Sequence, residues 1–337
     1  MTGLRIGVIG VGRIGTMHAR TLLELAGVAD ITVADVREDQ ALQVAAELDV
    51  RTATHDAMFA GSLDGLVVAT STPAHASLIR RALQAEVPVF CEKPVALDLA
   101  TLDALRDEAE RSGAFVQVGF QRRFDQGYLA ARKAVTAGEL GTLLVLRAAT
   151  HDPAPPPEEY IASSGGIFCD LNIHDFDAIR FVTGGEIAEV YADGAVRETS
   201  WFERHDDVDA AAAVLRLEDG SLGLVSGTRR DPRGYDVRLE ILGTADSVAV
   251  GDQPRAPYRS LEAGAAPPGR GYRDFLERFA PAYRAELDAF VAAVAGGGRS
   301  PCTLADARAA LAVALAAERS RREHRPVHVD EPTAGAT

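Results

Sequence analysis

The opening run Leu4-Arg-Ile-Gly-Val-Ile-Gly10-Val-Gly12-Arg-Ile-Gly15 constrains the fold more than any other stretch: an apolar strand passes through three spaced glycines into a helical pattern. In a strand–turn–helix unit of this kind the first glycine permits the tight turn and the second lets backbone approach a pyrophosphate. The third allows close packing of helix on strand. The helix start at Arg13 and Ile14 would present amides and the positive end of the helix dipole to phosphate. A glycine-rich structural turn is the competing reading. Asp35 weighs against it, ending the next strand where an acidic side chain would accept hydrogen bonds from the adenosine ribose hydroxyls. A 2′-phosphate would be repelled there, so NAD is expected over NADP. Arg37 is counted with the cofactor residues, because a basic side chain there would offset part of that repulsion. Its plainer reading is a surface arginine starting the next helix.

Strand patterns at Leu4–Ile9, Asp30–Ala34, Gly65–Ala69, Pro88–Cys91 and Phe115–Val118 alternate with helical ones at Arg13–Ala26, Glu38–Leu48, Ala74–Ala85 and Leu99–Arg111. Such alternation predicts an α/β domain with a doubly wound parallel sheet, assigned to residues 1–122. Beyond it, a helix at Tyr128–Ala137, a strand at Leu143–Ala149 and a Pro-rich loop lead to a helix over Ile167–Val182. Five strands then follow without helices between them, and Asp219-Gly220 reads as a hairpin turn. A loop over Gln253–Gly271 and two helices, Tyr283–Val294 and Leu304–Glu323, complete an expected α+β domain on a mainly antiparallel sheet, residues 123–330.

Composition narrows the function. The net charge of -14 has no dense basic cluster to offset it, which disfavours nucleic-acid and membrane-surface roles. No apolar run approaches the roughly 20 residues of a membrane helix, and no signal-like segment precedes Leu4. Three scattered cysteines fit a reducing compartment, so a cytoplasmic location is expected. Cys91, Cys169, His151 and His174 match no compact zinc spacing, and no metal is expected.

Glu92-Lys93-Pro94 follows the fourth of these strands, at the sheet edge where ligands of open α/β sheets bind. Lys93 there can hydrogen-bond a reacting hydroxyl and stabilise its developing negative charge; a surface lysine beside a Pro turn is the alternative. In Gly165–Asp177, residues Asp170, His174 and Asp177 fall on one helix face, with Phe168, Leu171, Phe176 and Ile179 opposite. Histidine is suited to take a hydroxyl proton near neutral pH, and Asp170 one turn away can orient it. A merely solvated polar face fits the same spacing. His151-Asp152 is a weaker candidate for binding substrate hydroxyls.

Together these residues resemble the glucose–fructose oxidoreductase/inositol dehydrogenase (Gfo/Idh/MocA) family, most closely its inositol 2-dehydrogenases. The matching segments are Val8–Gly15, Ala69–His75, Glu92-Lys93-Pro94, Val118–Asp125, Gly165–Asp177 and Gly234-Tyr235-Asp236, in family order. The resemblance implies that Lys93, Asp170 and His174 form the catalytic group, with His174 as base and hydride passing to NAD. Thr70, Ser71, Thr72, His75 and Glu92 would belong to the cofactor side. Arg123, Asp152 and Tyr235 would meet the substrate, and Asn172 on the catalytic helix would bind a hydroxyl. It further implies a homo-oligomer, a tetramer, joined through sheet faces. The expected substrate is a cyclic polyol, inositol first, with a free aldose or anhydrosugar as the alternative. A non-catalytic cofactor-binding sensor is the alternative from another class.

Overall fold

The computed structural model describes residues 3–61, 63–252, 255–265, 267 and 269–331. The chain divides into two compact units. One runs to Gln121 and resumes over Pro281–Arg308; the other holds Arg122–Ala280 and the chain from Ala309 onward.

The first unit alternates strands and helices: β1 (Leu4–Ile9), α1 (Arg13–Leu23), β2 (Val28–Ala34), α2 (Glu38–Leu48), β3 (Arg51–Thr52), α3 (His55–Ala60), β4 (Gly65–Val68), α4 (Thr72–Gln84), β5 (Val89–Glu92), α5 (Leu99–Ser112) and β6 (Val116–Gly119). The six strands lie in the order β3-β2-β1-β4-β5-β6, and every pairing is parallel. This doubly wound order reverses between β1 and β4, and such reversals leave a crevice at the carboxyl ends of the strands. The loops after β1 and β4 begin at Gly10 and Ala69. Strands β4, β5 and β6 are buried along their whole length, as helices on both faces of a parallel sheet require. β3 and α3 escaped the sequence reading because two residues and six residues are too short to show a period.

The second unit follows a 3-10 turn at Gln121–Phe124 with α6 (Gln126–Thr136), β7 (Leu143–His151), α7 (Glu158–Ser164), a π-helical turn at Phe168–Asn172, α8 (Ile173–Thr183), β8 (Ile187–Ala195), α9 (Trp201–Arg204), β9 (Ala210–Leu217), β10 (Leu222–Thr228), β11 (Asp236–Gly243) and β12 (Ser247–Val250). Then come α10 (Phe275–Gly296), α11 (Leu304–Glu323) and β13 (Val327–His328). Its seven strands run in the order β12-β11-β7-β10-β9-β8-β13. The sheet is mixed: β10 pairs with β7 in parallel and the other pairs are antiparallel. The parallel pair is possible because α7, α8, β8 and β9 intervene and supply the crossover that a hairpin cannot. The expected hairpin at Asp219-Gly220 joins β9 to β10, with Gly220 at φ +89°.

Two findings revise the expected organisation. Residues 281–308, left with the second domain in the sequence reading, pack in the first unit; Leu287, Phe290 and Val291 of α10 complete the core around Ile6, Val8, Val33 and Val67. The helix expected over Ile167–Val182 opens with a π turn, an irregularity that a 3.6-residue pattern does not reveal. Of the Gln253–Gly271 loop, residues 253, 254, 266 and 268 lie outside the described residues.

Candidate active site

In the first unit the glycine loop is built as its spacing demands. Gly10 sits at φ +88°, and a Cβ there would stand 2.7 Å from the Ala69 carbonyl. A Cβ on Gly15 would come within 1.8 Å of the Gly10 carbonyl oxygen, so α1 approaches the loop this closely only without a side chain. Gly12 precedes α1 and faces open space, with nothing within 4 Å of where its Cβ would lie. Backbone can therefore approach a diphosphate at the amino end of α1, beside Arg13 and Ile14.

Asp35 anchors this loop from β2. Its Oδ2 accepts the Val11 amide at 2.9 Å and its Oδ1 accepts the Arg37 amide at 3.0 Å. An ionised carboxylate has about four lone-pair sites, so it retains capacity for ribose hydroxyls. The Arg37 guanidinium donates to Gln40 Oε1 on its own helix, which is the surface-arginine reading rather than a cofactor contact. Gln40 in turn donates to the Val11 carbonyl at 2.9 Å.

After β4, Ser71 caps α4 and is exposed, with Thr70 and Thr72 half-buried beside it. His75 departs from the expected cofactor lining. It is 1% exposed, with Nδ1 2.8 Å from the Pro94 carbonyl and Nε2 3.0 Å from the Thr70 carbonyl. Burial lowers its pKa, so the ring is held neutral and donates from one nitrogen at a time. It braces the loop after β4 against the turn after β5. The consequence is a pH-dependent stability. Above the ordinary histidine pKa of ~6.5 the ring is neutral in both folded and unfolded chains. As the pH falls below that value the unfolded chain takes up the proton first, and the native state loses ground down to the lowered native pKa. Thermal melts from pH 7.5 to 5.5 will show a steeper fall for the wild type than for His75→Gln; parallel falls would contradict a buried neutral ring.

Lys93 leaves β5 half-buried, its amide donating to Glu92 Oε2 at 3.3 Å. Glu92 likewise turns inward: it is 6% exposed, and its Oε1 is 2.7 Å from His18 Nε2.

In the second unit the polar face, for which solvation was the competing reading, is largely buried. Asp170 lies on the π turn, 7% exposed, and His174 follows half-buried on α8. Tyr160 of α7 donates its hydroxyl to Asp170 Oδ1 at 2.7 Å, and Arg229 donates to Oδ2 at 2.8 Å. Tyr160 is 47% exposed as a residue, but desolvation around its hydroxyl, then the charge of Asp170, pushes the phenol above its usual range, so it remains a hydroxyl donor. Arg229 also donates to Asp152 Oδ2 at 3.1 Å, joining two of the expected site carboxylates through one cation. Tyr235 is buried nearby in the same unit, edge-on to Phe275 and Phe279. His151 contacts Ser226 Oγ at 3.1 Å and Asp236 at 3.5 Å.

Two expected substrate residues are engaged with partners inside their own unit. Arg123 makes a bidentate pair with Asp177, with contacts of 2.6 to 3.2 Å, and both side chains are buried. Asn172 is 1% exposed and donates to Asp175 at 2.9 Å, packed so closely on β10 that a Cβ at Gly227 would meet it at 2.5 Å. Cys91 and Cys169 are buried thiols whose pKa burial raises, that of Cys169 to about 12, and they pack as small apolar residues. Sequence reasoning missed Tyr160 and Arg229. Each is brought to Asp170 by tertiary packing, and the only local hint was an arginine just beyond the end of a strand.

The family described as an oxidoreductase family with an NAD-binding Rossmann fold matches residues 4–120, and the GFO/IDH/MocA C-terminal domain matches residues 128–249. A myo-inositol 2-dehydrogenase of Thermotoga maritima is 38% identical over 332 residues, covering 97% of this chain and 99% of that protein. A myo-inositol dehydrogenase, Hyg17, of Streptomyces leeuwenhoekii is 41% identical over 321 residues, covering 94% and 97%. The crystal structure of scyllo-inositol dehydrogenase from Lactobacillus casei with NAD(H) and scyllo-inositol superposes with a TM-score of 0.88 at 28% identity, covering 98% of this chain and 100% of that one. Among the described residues no helix is long and apolar enough to cross a membrane.

Proposed function

The chain belongs to the GFO/IDH/MocA family of oxidoreductases, and from that premise we propose that it oxidises one secondary hydroxyl of an inositol, myo or scyllo, to the corresponding inosose with NAD. The observation that carries this reading is the buried Asp170 carboxylate, fixed by Tyr160 and Arg229 one turn before His174. A packed surface helix has no use for such a group; a base that must become an imidazolium does.

His174 takes the hydroxyl proton, and Asp170 stabilises the cation that results. Lys93 donates to the reacting oxygen while its negative charge develops. Asp152 and Tyr235 bind neighbouring hydroxyls, with Arg229 holding Asp152 in place. When bound, NAD accepts the hydride released from the carbinol carbon, so ketone, NADH and one proton leave. Gly10, Gly12, Gly15 and Asp35 hold the adenosine diphosphate portion, and Thr70, Ser71 and Thr72 flank the crevice beyond it. Assay of NADH formation against a panel of inositols, aldoses and anhydrosugars tests the substrate. Turnover confined to inositols is expected; turnover confined to a free sugar would replace this reading, and inertness to all would favour a sensor.

Asp35→Ser is expected to weaken NAD binding about tenfold and to ease NADP use, since the 2′-phosphate no longer meets a carboxylate. Dissociation constants for both cofactors check this, and an unmoved ratio would refute the ribose role.

The assembly we propose is a cytoplasmic homotetramer. Glu240, Arg147, Leu224, Val214 and Tyr191 form one row across β11, β7, β10, β9 and β8. Leu224, Val214 and Tyr191 are 40–46% exposed there, an apolar sheet face suited to a second copy.

A further inference from the structure

Beneath β5 the first unit buries three ionisable groups that the reaction above does not use. His18 comes from α1, Glu92 from β5 and Glu286 from α10, at 0%, 6% and 0% exposure. One ligand-type atom from each lies within 4.8 Å of the others. His18 Nε2 is 2.7 Å from Glu92 Oε1, while its ring packs edge-on to Phe90 and Tyr283. Glu92 Oε2 accepts the Lys93 amide at 3.3 Å, and a Cβ at Gly119 would stand 3.3 Å from it. Among the described residues neither oxygen of Glu286 nor Nδ1 of His18 has a hydrogen-bond partner. Gln117 of β6 fixes the helix locally by donating to the Glu286 backbone carbonyl at 2.8 Å.

We propose that Glu286 is a neutral carboxylic acid buried beside the His18–Glu92 hydrogen bond, and that this triad keeps Glu92 ready beneath the Lys93 amide and so positions Lys93. The charge count calls for one carboxyl proton. Two ionised carboxylates buried this close would repel each other strongly in a low-dielectric interior, and a single histidine neutralises at most one. Glu286 is the group that yields: burial, then the charge of Glu92, drives its pKa well above the ordinary carboxyl value. Glu92 is then free to remain the acceptor for both His18 and Lys93. The titratable groups of and around the triad are His18 from α1, Glu92 and Lys93 from β5 and its exit, Glu286 from α10, and His75 from α4, which feels the charges of Glu92 and Lys93. Uncharged beside them are Gln117 of β6, the Tyr283 ring of α10 and the Cys91 thiol, itself raised by burial and by Glu92. The same three side chains offer the donor set of a divalent cation, and the elemental analysis below decides between that occupant and a carboxyl proton.

The positioning clause rests on the role given to Lys93 above; the protonation clause does not, and the experiment separates them. Infrared difference spectra of the full chain, wild type minus Glu286→Gln at pH 8 in D2O, are expected to show one protonated-carboxyl C=O band, with no stoichiometric metal by elemental analysis. Glu286→Gln, which keeps the neutral shape, is expected to hold kcat within about twofold. His18→Leu, which strips Glu92 of its partner, is expected to lower kcat by about tenfold or more and to displace the pH profile, with KM moving less. His18→Gln, which restores a donor, recovers most of that loss. Absence of the band, or a bound metal, overturns the neutral Glu286 and the triad with it. A band together with wild-type kcat and pH profile in His18→Leu overturns the positioning role. Wild type inert toward every inositol would instead defeat the substrate assignment, and the band would still decide the triad.

Discussion

Replacing His174 with alanine is expected to lower kcat by about 10²-fold or more while the NAD dissociation constant stays within about twofold. A positioned general base contributes on the order of 10²–10⁴ in rate, so the lower bound corresponds to about 2.7 kcal/mol of barrier. His174 projects from α8 in the second unit, whereas the glycine loop, Asp35 and the loop after β4 all belong to the first. The cofactor-binding loops and the general base therefore lie in different units, so cofactor affinity should survive the loss of the base in this variant. Asp170 keeps Tyr160 and Arg229 as partners, so its carboxylate does not become an uncompensated buried charge when the imidazole is removed. Steady-state kinetics paired with a fluorescence titration of NADH measure both quantities. Unchanged turnover would remove His174 from the chemistry; a parallel loss of NADH binding would show that the substitution disturbs more than a proton transfer.

What the sequence made legible depended on how local the determining physics is. The glycine loop is written in six consecutive positions because a tight turn, a close backbone approach and a helix contact each forbid a side chain there, and Gly10 and Gly15 meet those prohibitions directly. The alternation in the first unit was equally readable, since helices on both faces make short strands uniformly apolar. Partner identities across the fold were not. Arg123 reads as a cation available to substrate until Asp177, 54 residues on, is found paired with it. Glu92 and His75 sit within motifs that point to the cofactor, yet both turn inward, toward His18 and toward two backbone carbonyls. The π turn at Phe168–Asn172 changes which residues share a face, and it lies where a constant helical period was assumed. Arg229 and Glu286 were invisible because their roles arise only from burial beside groups distant in sequence, and Tyr160 because α7 and the turn after it must fold back before its hydroxyl meets Asp170.

Arg122→Met is expected to reduce unfolding stability by about 3–5 kcal/mol, the cost of stranding a buried charge. Arg122 and Asp175 are 1% and 0% exposed, and Nη1 donates to Asp175 Oδ1 at 2.6 Å. The second arm of the guanidinium donates to Thr150 Oγ1 at 2.9 Å, and Asn172 donates to Asp175 Oδ2 at 2.9 Å. Methionine roughly fills the space of the arginine stem but leaves Asp175 ionised with only neutral donors. Adding Asp175→Asn removes that charge while keeping an acceptor for Asn172, so the double variant should recover more than half of the lost stability. Denaturant unfolding of the three proteins measures this, and a single variant within about 1 kcal/mol of wild type would show that the pair is not the anchor it resembles. The same comparison separates stability from geometry. Thr150 lies on β7 next to His151 and Asp152, and Asp175 lies one residue after His174, so the pair ties the strand that presents one expected substrate carboxylate to the helix that presents the base. A double variant that regains stability but not kcat would mean that this buried charge is retained for the placement of His174 rather than for the endurance of the fold.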